Sequence, residues 1–159
     1  MDSKECGRQA ENMAHEYPVT LTWSGGRDGK GEIVLENGIK VPISIGKSLG
    51  GLGEGSNPEE LLTTAVGACY VMTFGLVASN RKLPVESLSV QVSGTLEGAL
   101  TDLKFTKILI RPKIRANSPT PEQRETIMQT AHKAEQLCII SRTLRGNVEI
   151  IVEPEIEEV

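Results

Sequence analysis

Aromatic residues are scarce in this sequence, making up 3% of its 159 residues, with two Phe, two Tyr and one Trp. Aliphatic side chains must therefore build most of the hydrophobic core, and the chain is long enough for one domain with such a core. Positive charge is not in excess either, since the formal net charge is −4 and the pI is about 5.3. This balance argues against binding nucleic acid or anionic membranes through overall electrostatic attraction.

Cysteine and histidine are also rare. The three cysteines are Cys6, Cys69 and Cys138, and the two histidines are His15 and His132. There is no CxxC pair and no Cys/His cluster, so we expect neither a metal site nor a cofactor. Three scattered cysteines do not match the disulfide framework of a small secreted protein, and the N-terminal segment lacks the apolar run of a signal peptide. These absences favour a cytoplasmic protein.

Two groups of strands are predicted, separated by a long helical segment. The strand patterns are Val19–Trp23, Gly31–Leu35 and Ile39–Ile45, then Leu88–Leu96, Lys104–Ile114 and Asn147–Val152. Asn37-Gly38 separates the second and third patterns, and this dipeptide is typical of tight hairpin turns. We expect an α+β fold in a single domain over residues 18–153, with a polar leader at 1–17 and an acidic tail at 154–159.

The long helical segment begins at Asn57-Pro58-Glu59-Glu60, where Asn57 suits the N-cap and Pro58 the first helical position. No charged residue occurs from Leu61 to Asn80, and apolar side chains fall on every face, which predicts a central helix buried all round. A membrane span is the competing interpretation of such a run. Threonine and glycine dilute the run and strands surround it, so we favour a core helix and expect no membrane association.

A second helix is predicted to begin at Thr120-Pro121-Glu122. Ile127, Ala131, Ala134 and Cys138 follow at steps of four, three and four residues, which places them on one helix face. Charged residues largely cover the other faces, so this helix is amphipathic. Cys138 therefore lies on the inward face, near the C-terminal end of the helix.

Cys69 lies inside the long helix, where a free cysteine is more often a packing residue than a nucleophile. A nucleophilic cysteine needs its thiolate, and at an ordinary pKa only roughly 3% is ionised at pH 7. Burial lowers that fraction, and Cys69 is too far from the helix start for the helix dipole to help. A positive side chain must compensate, and one unit charge at ~4 Å is equivalent to roughly three pKa units at an effective dielectric of 20.

Arg27, in the turn Gly25-Gly26-Arg27-Asp28-Gly29, is the candidate for that charge. Considered alone, it is an ordinary exposed turn residue, and Glu59 is an ordinary acid in the first turn of a helix. The Gly-rich stretch 46–55 is not a phosphate loop, because Val41 stands where a Walker A motif needs glycine. We interpret that stretch as a flexible loop that leads into the long helix.

Several sequence blocks, in register and in order, resemble one protein family. Asn57-Pro58-Glu59-Glu60-Leu61-Leu62, with Ala65 and Ala68-Cys69, is similar to the motif of the OsmC/organic hydroperoxide resistance family. The Gly-Gly-Arg-Asp-Gly turn, Leu49-Gly50-Gly51 and Arg145-Gly146-Asn147-Val148 resemble its organic hydroperoxide resistance branch. The resemblance extends from about Val19 to Val152 and implies an OsmC-like fold.

The resemblance implies a role for each matching residue. Cys69 corresponds to the peroxidatic cysteine and Cys138 to the resolving cysteine, while Arg27 activates the thiolate and orients the peroxide, and Glu59 holds that arginine. Organic hydroperoxides would be reduced to alcohols through a sulfenic acid and a disulfide, with a dithiol on a lipoylated protein as reductant. One departure is the run Cys138-Ile139-Ile140-Ser141, because the family usually has proline after the resolving cysteine. Its absence loosens the expected exit of the chain from the second helix.

Helix geometry indicates how many chains build the site. Glu59 and Cys69 are ten residues apart on one predicted helix, which separates them by about 15 Å along the axis and roughly 80° around it. An arginine held by Glu59 is therefore not expected to reach the Cys69 of the same chain. We expect an intertwined homodimer with shared sites, as the family resemblance also implies.

Two other functions fit the same residues. The fold could bind a small apolar ligand at the dimer interface, with the cysteines as packing or sensing groups. A general thiol–disulfide exchanger is disfavoured, because Cys69 and Cys138 are 69 positions apart and such enzymes usually keep both thiols in one local turn. For the peroxidase, we expect Tyr70, Phe74 and aliphatic residues to line an apolar pocket that favours organic hydroperoxides over hydrogen peroxide.

Overall fold

The computed structural model describes residues 14–159. Cys6 and most of the predicted leader lie outside the described residues. The described chain forms two compact units, of which the first ends at Asn57 and the second is Pro58–Val159.

The first unit is a three-stranded antiparallel sheet. Its strands are β1 (Val19–Ser24), β2 (Lys30–Leu35) and β3 (Lys40–Ser44), in the order β1-β2-β3, followed by a short 3-10 turn at Lys47–Leu49. The predicted hairpin turn is confirmed, since the Gly38 N–H donates to the Leu35 carbonyl at 2.8 Å. Gly38 has a φ of 83°, a conformation that glycine adopts at little cost.

The second unit combines helices with a mixed sheet. Its elements are α1 (Pro58–Asn80), β4 (Val85–Glu97), β5 (Lys104–Ala116), α2 (Pro121–Leu137), α3 (Ile139–Leu144), β6 (Glu149–Val152) and β7 (Glu155–Glu158). β4 pairs with β5 in antiparallel fashion, whereas β6 and β7 pair in parallel with successive parts of β5. The fold class is therefore α+β, as predicted.

Strand β7 lies within residues 154–159, which the sequence suggested were only an acidic tail. Ile156 pairs with Ile114 of β5 and packs against the core, while Glu157 forms an ion pair with Lys113 at 3.1 Å. The alternation of acidic and apolar residues is the signature of a half-buried strand, but four residues are too few for the pattern to be distinctive.

The core of the second unit forms where α1 and α2 pack on β5. α1 contributes Val66, Tyr70, Phe74 and Ala78, which recur every four residues along one face. The expectation of all-round burial is met on that face only, because Met72 is 73% and Leu76 is 63% exposed in the single chain. Within residues 14–159, α1 is the one helix long and apolar enough to cross a membrane, and the same helix supplies these core residues.

Candidate active site

The structure brings Cys69 and Cys138 together. Cys69 lies on α1 and is partly buried, whereas Cys138 is fully buried between α2 and α3. Both are free thiols, and their side chains lie close enough for each to shift the pKa of the other. The second unit therefore places two free thiols next to each other.

Cys138 occupies the junction of two helices. α2 begins with a capping box formed by Thr120 and Gln123, as its sequence indicated, and ends at Leu137. At Cys138 the backbone turns to an extended conformation, with φ −60° and ψ 122°, and α3 starts at the next residue. The Cys138 Sγ accepts the Ser141 N–H at 3.3 Å, so the sulfur takes the N-cap role that serine or aspartate usually has. This bond fixes the sulfur beside Cys69.

The surroundings of the two thiols shift their pKa values in opposite directions. Burial raises the pKa of Cys69, but donors from the Cys138 side chain, the Ile140 and Ile139 backbone and the Thr73 side chain together bring that pKa below its ordinary value. For Cys138, burial raises the pKa and the hydrogen bond with Cys69 raises it further, although bonds from Ser141 oppose this in part. Of the two thiols, Cys69 therefore ionises more readily than Cys138.

Three of these donors were missed in the sequence. Thr73 is one helical turn after Cys69, and this spacing of four residues could have revealed it. Ile139 and Ile140 act through their backbone N–H groups, which no side-chain pattern discloses. Their contribution requires α3, a short helix that was not predicted.

Arg27 lies in the first unit, in the predicted turn, where the Gly29 N–H donates to the Gly26 carbonyl at 3.0 Å. The Arg27 Nη1 donates to the Leu49 carbonyl at 2.9 Å. A Cβ at the next residue, Gly50, would lie 3.0 Å from Nη1, and Gly50 has a φ of 79°. Two blocks that sequence singled out separately therefore meet, and the Leu49-Gly50 backbone holds the guanidinium through one of its five N–H groups.

Glu59 lies in the first turn of α1, where its backbone carbonyl accepts a hydrogen bond from Thr63 Oγ1 at 2.8 Å. Because α1 is continuous, Glu59 and Cys69 lie on one helix, about 15 Å apart along its axis. Arg27 and Glu59 belong to different units, and their joint action on Cys69 stays a prediction.

The two aromatic residues expected to line a pocket contribute mainly to the core. The Tyr70 hydroxyl donates to the Ala131 carbonyl at 3.0 Å, and burial raises its pKa well above the ordinary range. The Tyr70 and Phe74 rings stack with their centroids 6.5 Å apart. Phe74 also borders a cleft of about 570 Å³ between α1 and β4, together with Val71 and Leu88. Phe74 thus both packs in the core and lines a cleft.

Metal ligands are not clustered in residues 14–159, where no group of three or more His, Cys, Asp or Glu side chains could hold an ion.

Known proteins share this arrangement of elements. The model of the family described as OsmC-like protein matches residues 51–153. YmaD of Bacillus subtilis is 31% identical, covering 90% of this chain and 95% of its own. The organic hydroperoxide resistance protein of Xanthomonas axonopodis pv. citri is 27% identical, covering 84% and 91%. The crystal structure of an OsmC-like protein of Vibrio cholerae has the same fold, with a TM-score of 0.77 at 18% identity over 89% of this chain and 100% of that one. The chain thus belongs to the OsmC-like protein family.

Proposed function

We propose that this protein is a thiol peroxidase that reduces organic hydroperoxides to alcohols. The observation that carries the proposal is the pairing of two free thiols, of which Cys69 has the lowered pKa and Cys138 the raised one. The name of the Xanthomonas relative, an organic hydroperoxide resistance protein, supports the substrate class.

In the first step, the Cys69 thiolate attacks the terminal oxygen of the hydroperoxide. The S–O bond forms as the O–O bond breaks, so Cys69 is oxidised to a sulfenic acid and the peroxide is reduced to an alkoxide. The alkoxide takes a proton from solvent and leaves as the alcohol. Arg27, held in turn by Glu59, is proposed to orient the peroxide and stabilise the developing negative charge.

In the second step, Cys138 resolves the sulfenic acid. Its sulfur attacks the Cys69 sulfur, the Cys69 hydroxyl group leaves as water with the Cys138 proton, and a disulfide forms. Because the side chains already contact each other, a short movement brings the sulfurs to bonding distance. A dithiol, which we propose is the reduced lipoyl group of a partner protein, then supplies the two electrons and two protons that restore both thiols.

We also propose that the working form is a homodimer. Met72 and Leu76 expose apolar surface on α1 in the single chain, which a second copy would cover. The distance from Glu59 to Cys69 along α1 supports a site that takes its arginine and its cysteine from different chains.

Thiol counting tests the proposal directly. One equivalent of cumene hydroperoxide should remove two thiols from the wild-type protein and form a Cys69–Cys138 disulfide, identified by peptide mass spectrometry. Cys69→Ser should abolish the reaction, whereas Cys138→Ser should allow one attack and leave a sulfenic acid. Cys6→Ser is the matched control and should behave as wild type. If neither Cys69 nor Cys138 loses its thiol in wild type, the proposal is wrong.

Kinetics with different substrates test its finer parts. We expect a higher kcat/KM for cumene or tert-butyl hydroperoxide than for hydrogen peroxide, and faster turnover with dihydrolipoamide than with thioredoxin. The reverse order of substrates would contradict the proposed preference for organic hydroperoxides, and the reverse order of reductants would contradict the proposed lipoyl reductant. Neither result would contradict the two-cysteine mechanism.

A ligand-binding role is the second candidate, and the clefts between α1 and β4 favour it. One is about 570 Å³ and includes Phe74, and another of about 380 Å³ is lined by residues such as Gly67 and Val92. An apolar molecule that co-purifies with the protein, together with no peroxidase turnover, would support this function instead.

A further inference from the structure

A buried hydroxyl close to Cys138 lacks a hydrogen-bond partner. Ser141 is fully buried, and within residues 14–159 its Oγ is the one buried side-chain nitrogen or oxygen that no hydrogen bond satisfies. Nearly all buried polar side chains in proteins are hydrogen-bonded, because removing an unpaired hydroxyl from water costs free energy. The unpaired Ser141 hydroxyl therefore indicates a role that the reduced protein at rest does not use.

Ser141 also contacts the Cys138 sulfur directly. Its backbone N–H donates to the Cys138 Sγ at 3.3 Å. Only Cα and Cβ separate this nitrogen from Oγ, so the hydroxyl lies within the length of one short side chain of the same sulfur. In the neutral thiol state the hydroxyl makes no aligned bond. A charged sulfur is a stronger acceptor and would attract the hydroxyl hydrogen, which agrees with the lowering effect of the Ser141 side chain on the pKa of Cys138.

Cys138 becomes negatively charged at two points of the proposed cycle. It must lose its proton to attack the oxidised Cys69, since the thiolate is the nucleophile, and burial opposes this by raising its pKa. It becomes charged again when the disulfide is reduced. Because Cys69 is partly exposed and Cys138 is fully buried, an external thiol attacks the Cys69 sulfur and Cys138 leaves as the thiolate.

We propose that the Ser141 hydroxyl donates a hydrogen bond to the Cys138 sulfur when that sulfur carries negative charge, and so speeds both its attack on Cys69 and its release from the disulfide. The Ser141 N–H holds the sulfur in the neutral state as well, whereas the hydroxyl bonds only in the charged state. An interaction that is stronger in the transition state than in the ground state accelerates the step. The inference deepens the resolving step and rests on the proposed function for its role in turnover, whereas the contact itself can be tested without a peroxide.

The aromatic disulfide DTNB separates the reactions of the two cysteines. In a Cys6→Ser background, the Cys69 thiolate attacks DTNB, forms a mixed disulfide and releases one thionitrobenzoate. The Cys138 thiolate then attacks the Cys69 sulfur, closes the protein disulfide and releases the second thionitrobenzoate. The rate of the second release therefore reports the Cys138 thiolate, and the second release should be absent in Cys138→Ser.

Ser141→Ala removes the hydroxyl and keeps the backbone N–H. We expect an unchanged first release and a second release slowed by about tenfold at pH 7, because one hydrogen bond to a charged group is lost. The slowing should disappear as the pH rises and Cys138 becomes ionised in both proteins. Thr143→Ala is the matched control, because it removes an exposed α3 hydroxyl that donates to the Ile139 carbonyl at 3.0 Å. It should leave both releases unchanged.

Urea unfolding of the reduced protein distinguishes this role from a structural one. Because the hydroxyl has no partner in the thiol state, Ser141→Ala should be at least as stable as the background protein at pH 7. A clear loss of stability would overturn the inference. So would an unchanged second release, a slowing that is the same at every pH, or an equal slowing in Thr143→Ala. Absent peroxidase turnover in wild type, together with the expected DTNB result, would contradict the proposed function and leave the Ser141 contact supported.

Discussion

Cys69 and Cys138 lie next to each other, although 69 positions of sequence separate the two residues, and each thiol shifts the pKa of the other. Burial alone would raise the pKa of both thiols. For Cys69, the neighbouring donors outweigh burial, and two of them come from the segment that directly follows Cys138. The element that carries the second cysteine thereby makes the first one the more readily ionised thiol.

Thr73 offers a test of the Cys69 environment from α1 itself. Thr73→Val removes a hydroxyl donor with little change of shape, so we expect the pKa of Cys69 to rise and alkylation at neutral pH to slow roughly threefold. Thr64→Val is the matched control, because Thr64 is exposed on the same helix. Equal slowing in the two variants would show that the effect does not come from the hydrogen bond. The measurement is labelling of the Cys69 peptide over a pH series.

The two cysteines should change the free energy of unfolding in opposite directions, each over its own pH range. The pKa of Cys69 is lowered in the folded protein. Ionisation of Cys69 therefore stabilises the fold increasingly as the pH rises from the folded-state pKa to the ordinary cysteine pKa, and this contribution is lost as the pH falls through the folded-state pKa. The pKa of Cys138 is raised, so that residue costs stability as the pH rises above the ordinary value. We expect the free energy of unfolding of wild type relative to Cys69→Ser to increase towards the ordinary cysteine pKa. Urea titrations under reducing conditions measure it, and a decrease over that range would contradict the assignment of charge.

Gly50 and Gly38 form a matched pair for testing how Arg27 is held. Both have a positive φ, and a Cβ at Gly50 would press on Arg27 Nη1 while a Cβ at Gly38 meets nothing within 4 Å. Alanine at either position should therefore cost about 1 kcal/mol of stability from backbone strain. Only Gly50→Ala should also lower kcat/KM for cumene hydroperoxide, because it displaces the guanidinium. If Gly38→Ala loses a similar amount of activity, the loss in Gly50→Ala comes from backbone strain and not from displacement of Arg27.

A mixed dimer tests whether two chains share one site. An Arg27→Ala chain and a Cys69→Ser chain are each expected to be inactive as homodimers. If the arginine and the cysteine come from different chains, the heterodimer contains one intact site and should recover about half of the wild-type activity per dimer. Purification through two affinity tags, one on each chain, isolates the heterodimer and removes both homodimers from the assay. No recovery would favour a site built within a single chain.

Local sequence patterns predicted most of the fold. The uncharged run from Leu61 to Asn80 and the four-three-four spacing up to Cys138 identified α1 and α2, because a helical period can be recognised when it extends over many residues. Every strand except β7 was also expected, and Asn37-Gly38 located one hairpin. β7 and α3 were not predicted. β7 has four residues and α3 has six, which is too few for the repeat of a strand or a helix to be recognised in the sequence.

The sequence by itself determined which residues are candidates: one cysteine in an uncharged helix, another on the apolar face of an amphipathic helix, an arginine in a glycine-rich turn and an acid at a helix start. It could not determine which of the two thiols ionises more readily, because side-chain identity does not record what surrounds each sulfur. The tertiary structure decided that question when the chain turned at Cys138 and brought its thiol and the start of α3 next to Cys69, which lowers the pKa of Cys69 and raises that of Cys138.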